Sequence, residues 1–277
     1  MIAATPADNG ISRLSALFEQ TRAERRAALI GYLPAGYPTL DASMDLFCRL
    51  LDSGCDLVEV GVPFSDPVLD GTVIQQAAET ARGNGFRLRH LFDVVERISS
   101  AGGAAVVMTY FNPVLAYGPE AFARDLAAAG GLGVITPDLI VEESAEWVDA
   151  TAAHGLAPIF LVAPSSSAER ITRTAGQTRG FLYAASTMGV TGARDTVSGA
   201  AADLVGRCRG LTDLPVGVGL GVRTAEQAAE IAAFADAVIV GSAFVSAATE
   251  SPERLGTLAV ELAGGVRAAD RVERAGR

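Results

Sequence analysis

Eight short apolar runs rich in β-formers recur along the chain, and an Ala-rich stretch of helical pattern separates each from the next. The runs are ALIGYL from Ala28, LVEVGV from Leu57, AAVVMTY from Ala104 and GVIT from Gly133, then PIFLVA from Pro158, GFLYAAS from Gly180, PVGVGLG from Pro215 and AVIVGS from Ala237. Between them lie windows such as LDASMDLFCRLLDSG and AEQAAEIAAFA. Strand then helix, eight times over, predicts an α/β fold of the (β/α)8 TIM-barrel class. The windows are long enough for right-handed crossovers between parallel strands. An open doubly wound sheet would carry a G-x-G-x-x-G turn after its first strand, and the first run here leads into LPAGYPT instead. The 277 residues suit one such barrel, and no Pro/Ser-rich linker or charge block divides them. Residues 1–277 are therefore expected to form a single domain.

Ahead of the first run, residues 12–27 read SRLSALFEQTRAERRA. Leu14, Leu17 and Phe18 fall on one helical face, which predicts an extra N-terminal helix able to plug the N-terminal mouth of the barrel. Residues 1–11 and 266–277 are expected to be frayed tails.

Composition removes several function classes. The net charge of −10 and pI near 4.7 argue against nucleic acid and anionic membrane partners. No apolar run approaches the roughly 20 residues of a membrane span. The start, MIAATPADNG, lacks the basic-then-apolar pattern of a signal peptide. Cys48, Cys55 and Cys208 lack metal-type spacing and are expected to be buried, reduced thiols of a cytoplasmic protein. The chain has no lysine at all and only two histidines, His90 and His154. A Schiff-base aldolase or a pyridoxal-phosphate enzyme needs a lysine amine. A metal-dependent aldolase needs several histidine ligands. No cofactor and no metal are expected.

Barrel chemistry sits where strands end and βα loops begin. The second run and its loop read LVEVGVPFSDPVLDGTVIQ. Glu59 lies within the apolar run and shares a strand face with Leu57 and Gly61, the last leaving room beside it. Asp70 ends a loop that also holds Asp66. Two carboxylates from one strand and its loop can act as a general acid/base and a charge stabiliser. The competing readings are a paired core carboxylate for Glu59 and an N-cap of the helix DGTVIQQAAE for Asp70. A second constellation is glycine-rich: Gly189 and Gly192 after the sixth run, Gly219 and Gly221 in the seventh, Gly241 with Ser242 at the end of the eighth. Phosphate is often held at the ends of the last two barrel strands by backbone N–H groups, which need no lysine. The alternative is that these glycines serve tight turns. His90 and His154 lie outside any motif and read as structural or exposed, and Trp147 as helix packing.

The segment VEVGVPFSDPVLDG resembles the signature of the tryptophan synthase α subunit family. MTYFNPVLAYG from Met108, PDLIVEES from Pro137, LYAASTMGVTGAR from Leu182, GVGLGVRTAEQ and IVGSAFV resemble the family's later loops, in order and with its spacing, over roughly residues 12–263. The resemblance implies retro-aldol cleavage of indole-3-glycerol phosphate to indole and glyceraldehyde 3-phosphate, as the α subunit of tryptophan synthase in L-tryptophan biosynthesis. It implies Glu59 and Asp70 as the catalytic pair with Tyr183 beside Glu59, and Gly192, Gly221, Gly241 and Ser242 as holders of the glycerol phosphate. Thr191 matches a residue of the family's mobile lid, formed here by the sixth loop STMGVTGARDTVSG, which would exclude water. Tyr32, Leu220 and Phe244 either line the indole pocket or belong to the ordinary core. The partner implied is a tryptophan synthase β subunit in an α2β2 complex, met by the second and fourth loops. Those loops depart from the family pattern at Val68-Leu69 (usually Leu-Ala), Thr72 (usually Pro) and Ile140 (usually Pro).

Other classes remain in view. A free-standing lyase would release indole for other biosynthesis. A non-catalytic activator subunit would have lost Glu59 or Asp70, and both are present. An indole-glycerol-phosphate synthase relies on a lysine acid, which is missing here.

Overall fold

The computed structural model describes residues 9–185, 194–219 and 221–269. Among these residues nine parallel strands lie at the centre: β1 (Ala28–Pro34), β2 (Leu57–Gly61), β3 (Ala105–Met108), β4 (Gly133–Ile135), β5 (Ala157–Ile159), β6 (Leu161–Val162), β7 (Leu182–Ala185), β8 (Val216–Gly219) and β9 (Ala237–Val240). Their hydrogen-bonded order is β5-β4-β3-β2-β1-β9-β8-β7-β6. The two ends of that order, β5 and β6, are halves of one stretch interrupted only at Phe160. The ladder therefore closes on itself, which an open doubly wound sheet does not do. The expected eight strands occupy eight barrel positions, and the fifth differs from expectation by being split. Phe160 is buried, and its carbonyl accepts from the Tyr183 N–H at 3.1 Å, so the interruption keeps its pairing to β7.

Both faces of the sheet are dry, as a parallel sheet under helices requires. All seven residues of β1 and all five of β2 are buried. Inward-pointing side chains, among them Ile30, Leu57, Val106, Ile135, Ile159, Phe181 and Ile239, form one apolar cluster inside the barrel. Outward-pointing ones, such as Leu29, Val58, Val107 and Val238, join a larger cluster with the helices. Those helices are amphipathic: α2 (Leu40–Asp52) buries Leu46, Phe47 and Leu50, and α4 (Arg89–Ser100) buries Leu91, Val94, Val95 and Ile98. Several open on side-chain caps, including Thr39 before α2, Thr224 before α10 (Ala225–Ala232) and Ser251 before α12 (Pro252–Ala268).

The N-terminal helix α1 (Gly10–Ala23) plugs the barrel as expected. Leu14 and Phe18 are buried in the interior cluster, and the Phe18 ring meets Phe181 at 5.6 Å. Each contributes about 1.5–3 kcal/mol by leaving water. The helix begins earlier than expected because Asn9 and Ser12 form a reciprocal capping box. The tails are correspondingly shorter than expected: Gly10 and Ile11 are helical, and so are Val266 to Ala268. Among the described residues no helix is long and apolar enough to cross a membrane.

Candidate active site

Glu59 sits in the middle of β2, paired in register with Tyr32 on β1 and Val106 on β3. It is 1% exposed, and its Oε2 is buried without a hydrogen-bond partner. No ion pair to it occurs among the described residues, so it is not a paired core carboxylate. Burial pushes its pKa up to about 8, and the nearby Asp70 charge adds to the shift. A carboxyl poised there is protonated near neutral pH yet able to give its proton up, the property asked of a general acid/base.

Asp70 closes the loop that leaves β2. It is partly buried, and burial raises its pKa above the ordinary carboxylate value. It does not cap the following helix. The N-cap of α3 (Thr72–Gly83) is Gly71, and no side chain caps that helix. The backbone carbonyl of Asp70 instead accepts from Gln75 Nε2 at 2.8 Å, which leaves its carboxylate for other use. Asp66, by contrast, is exposed and accepts from its neighbour Ser65.

Two tyrosines flank the carboxylates by one geometric rule. Tyr183 on β7 is in register with Gly217 of β8, and Tyr32 on β1 is in register with Glu59 of β2. Each phenol leans over the glycine two residues further along the neighbouring strand. A Cβ on Gly219 would stand 2.8 Å from the Tyr183 hydroxyl, and one on Gly61 would overlap the Tyr32 ring. The room beside Gly61, expected to serve Glu59, is thus filled by Tyr32. Burial raises the pKa of both phenols well above the ordinary value. The Glu59 charge adds to both shifts, and the Asp70 charge adds to that of Tyr32. Tyr32, Glu59, Asp70 and Tyr183 therefore share one electrostatic neighbourhood at the C-terminal end of the barrel.

Tyr32 also joins this neighbourhood to the glycine constellation. A Cβ on Gly241 would lie 3.5 Å from Tyr32 Cδ1 and 3.6 Å from Ile74 Cδ1. Gly241 is the N-cap of α11 (Ser242–Glu250), again without a side-chain cap, and Ser242 opens the helix. The first N–H groups of α11 therefore have no side-chain acceptor at the cap, and a helix N-terminus favours an anion. Gly221 has φ +64, so the tight-turn reading accounts for glycine there, and a Cβ would meet nothing within 4 Å. Gly189, Thr191, Gly192 and Leu220, with most of the sixth loop, lie outside the described residues. Phe244 is fully buried in the outer cluster and is ordinary core.

The remaining sequence readings fall as expected except at Cys48. His154 pairs with Glu120 at 2.7 Å, and His90 Nδ1 accepts from the Arg87 N–H at 3.2 Å. Trp147 is fully buried against Phe111 and Phe122. Cys48, Cys55 and Cys208 are free thiols; Cys55 and Cys208 are buried as expected, whereas Cys48, on α2, is only partly buried.

Sequence reasoning missed Tyr110. It stands two residues past the end of β3, is 7% exposed, and reaches across to the Asp70 loop. Its hydroxyl accepts from the Leu69 N–H at 2.8 Å, and its ring stacks on Phe64 at 4.9 Å. The available signal was its place at a strand end in MTYFNPVLAYG. Nothing local in that segment points to Leu69, 41 positions away.

Comparison with known proteins identifies the family. The family model described as tryptophan synthase alpha chain matches residues 18–270. A tryptophan synthase alpha chain from Mycobacteroides abscessus is 62% identical over 257 residues, covering 93% of this chain and 98% of the relative. Its counterpart from Nocardia farcinica is 62% identical over 258 residues, covering 93% and 97%. Among solved structures, Mycobacterium tuberculosis tryptophan synthase superposes with a TM-score of 0.89 at 60% identity, covering 93% of this chain and 99% of the other. The alpha subunit from Legionella pneumophila retains a TM-score of 0.84 at 30% identity, covering 92% and 98%.

Proposed function

This chain belongs to the tryptophan synthase alpha chain family, and on that footing we propose how its residues cleave indole-3-glycerol phosphate to indole and glyceraldehyde 3-phosphate. The observation that carries the mechanism is Glu59: a buried carboxyl, raised to about 8, with an unpartnered Oε2 and Asp70 close by. Glu59 donates its proton to the indole C3, giving an indoleninium whose ring nitrogen carries the positive charge. Asp70, ionised, stabilises that charge. The same Glu59, now a carboxylate, takes the proton from the glycerol hydroxyl next to C3. As the C–O bond becomes a carbonyl, the C3–C bond breaks and its electrons restore the neutral indole. Protons balance on Glu59, so no outside base is needed. Tyr183 holds the substrate beside Glu59, Tyr32 and Leu220 line the indole pocket, and Thr191 belongs to the lid that excludes water from it. Gly192, Gly221, Gly241 and Ser242 hold the phosphate through backbone N–H groups.

The partner is a tryptophan synthase β subunit, met by the loops after β2 and β4. Val68 and Ile140 are 76% and 46% exposed there, more than large apolar side chains usually are. The setting is cytoplasmic biosynthesis of tryptophan, in keeping with three free thiols.

The test is release of indole from indole-3-glycerol phosphate by the purified chain, with and without a cognate β subunit. Cleavage that accelerates on adding the β subunit supports the reading. Absence of cleavage under both conditions overturns it. Fast release by the chain alone, with no β-subunit binding, would make it a free-standing lyase.

A further inference from the structure

The loop from Val62 to Gly71 carries Asp70, yet little holds it. Its base is fixed by the Val62 N–H donating to the Met108 carbonyl at 2.9 Å. Beyond that point, hydrogen bonding from outside the loop and its helix reaches it, among the described residues, at Tyr110, chiefly through Leu69 N–H to Tyr110 Oη, 2.8 Å. The bond falls on the residue immediately before Asp70. The Tyr110 ring stacks on Phe64 with planes 28° apart, so one side chain grips both limbs of the loop. Tyr110 is itself fixed from the next loop. It is the N-cap of α5 (Phe111–Tyr117), and the adjacent Phe111 N–H donates to both oxygens of Asp138, at 2.9 and 3.1 Å. Three successive βα loops, after β2, β3 and β4, are thereby tied together at one tyrosine.

We propose that Tyr110 is a positioning residue for Asp70: its hydroxyl fixes the Leu69 amide, and Asp138 fixes Tyr110 in turn. The catalytic consequences rest on the lyase reading above. The Asp70 charge needs to stand at one place, opposite the ring nitrogen, to favour the transition state over the bound substrate. Removing the hydroxyl frees the Leu69 amide to turn toward water, and Asp70 then samples positions further from Glu59. The loss is felt in kcat rather than KM, because the interaction matters when charge develops.

The experiment compares the full chain with Tyr110→Phe, each with and without Asp70→Asn. Phenylalanine keeps the ring and its stack and removes only the acceptor. Cleavage of indole-3-glycerol phosphate is measured for kcat and KM. The Glu59 carboxyl is titrated by 13C NMR without substrate, its signal assigned by its loss in Glu59→Gln. Tyr110→Phe is expected to lower kcat about tenfold, the effect of one functional hydrogen bond, with KM changed less than about twofold. On the Asp70→Asn background it is expected to cost nothing further, because both act through one group. The Glu59 midpoint is expected to move down, since Asp70 adds to its elevation while Tyr32 and Tyr183 stay in place. A general loosening of the fold would lower kcat on both backgrounds. An unchanged Glu59 midpoint, or a full extra loss on Asp70→Asn, overturns the proposal. Should the wild-type chain cleave nothing, the reaction reading fails, and the substrate-free titration still decides the positioning.

Discussion

The Tyr183 hydroxyl rests where a side chain on Gly219 would begin, 2.8 Å from the position its Cβ would take. Real Cβ atoms do not approach a hydroxyl that closely. Gly219→Ala should therefore displace the phenol that flanks Glu59 while leaving β8 paired to β7 and β9. Cleavage should fall at least about tenfold, and circular dichroism should be unchanged. In Tyr183→Phe the nearest remaining ring atom would be 3.5 Å from that Cβ, an ordinary contact. The alanine should then cost little more on that background. Equal losses on both backgrounds would place its effect elsewhere.

Glu59→Gln keeps the volume and loses the proton. Turnover should drop by about 10²–10⁴, the usual cost of an acid/base group, with thermal unfolding still cooperative. In the wild-type enzyme Glu59 starts the reaction protonated, so the rate should decline as pH rises through about 8. Asp70 must be ionised, so the rate should also decline on the acid side, at a pH above an ordinary aspartate's titration. A pH–rate profile for kcat checks both limbs. An alkaline limb that Asp70→Asn fails to move to lower pH would contradict the electrostatic pairing of the two carboxyls.

Stability carries the same signature. The folded Glu59 holds its proton up to about 8, whereas in the unfolded chain it titrates near the ordinary glutamate value of about 4.5. Between those values the folded state binds more protons, so stability falls as pH rises. The contribution is fully present below the unfolded pKa and is lost through the folded one. By pH 9 the deficit is on the order of a few kcal/mol. Glu59→Gln has no such group and should be more stable than wild type at pH 9. Their gap should narrow toward pH 5. Urea unfolding at the two pH values measures it, and parallel curves would be the contrary result.

Ile140 is 46% exposed on the loop after β4, where the family usually has proline. Ile140→Asp places a charge on a surface assigned to the β subunit without touching Glu59, Asp70 or Tyr110. Affinity for the β subunit should weaken about tenfold or more, and cleavage by the isolated chain should stay within about twofold. Calorimetric titration of one subunit into the other reads this directly. Unaltered affinity would move the docking surface off the β4 loop.

Much of the site was legible because its chemistry is contiguous. Glu59 and Asp70 stand within one strand-loop segment. The period-two alternation that points Glu59 inward is a local property of a strand. The eight barrel positions were legible for the same reason, since each strand and helix writes its own hydrophobic period. The plug helix was readable from Leu14, Leu17 and Phe18, although its start at Gly10 depended on a reciprocal Asn9–Ser12 bond that the apolar pattern does not encode.

Contacts across the barrel were decided only by the tertiary structure. Tyr32 reaches Gly61, Tyr183 reaches Gly219, and Tyr110 reaches Leu69, each from another strand or loop. Which residues meet in this way depends on the register and tilt of neighbouring strands, fixed when the whole sheet closes. That closure passes through Phe160, where one apolar run divides its pairing between β4 and β7. The sequence by itself determined which residue types stand on the inner face and where the carboxylates lie along the chain. The folded barrel determined their neighbours, because the stagger between strands is a collective property of the closed ring and is written in no single segment.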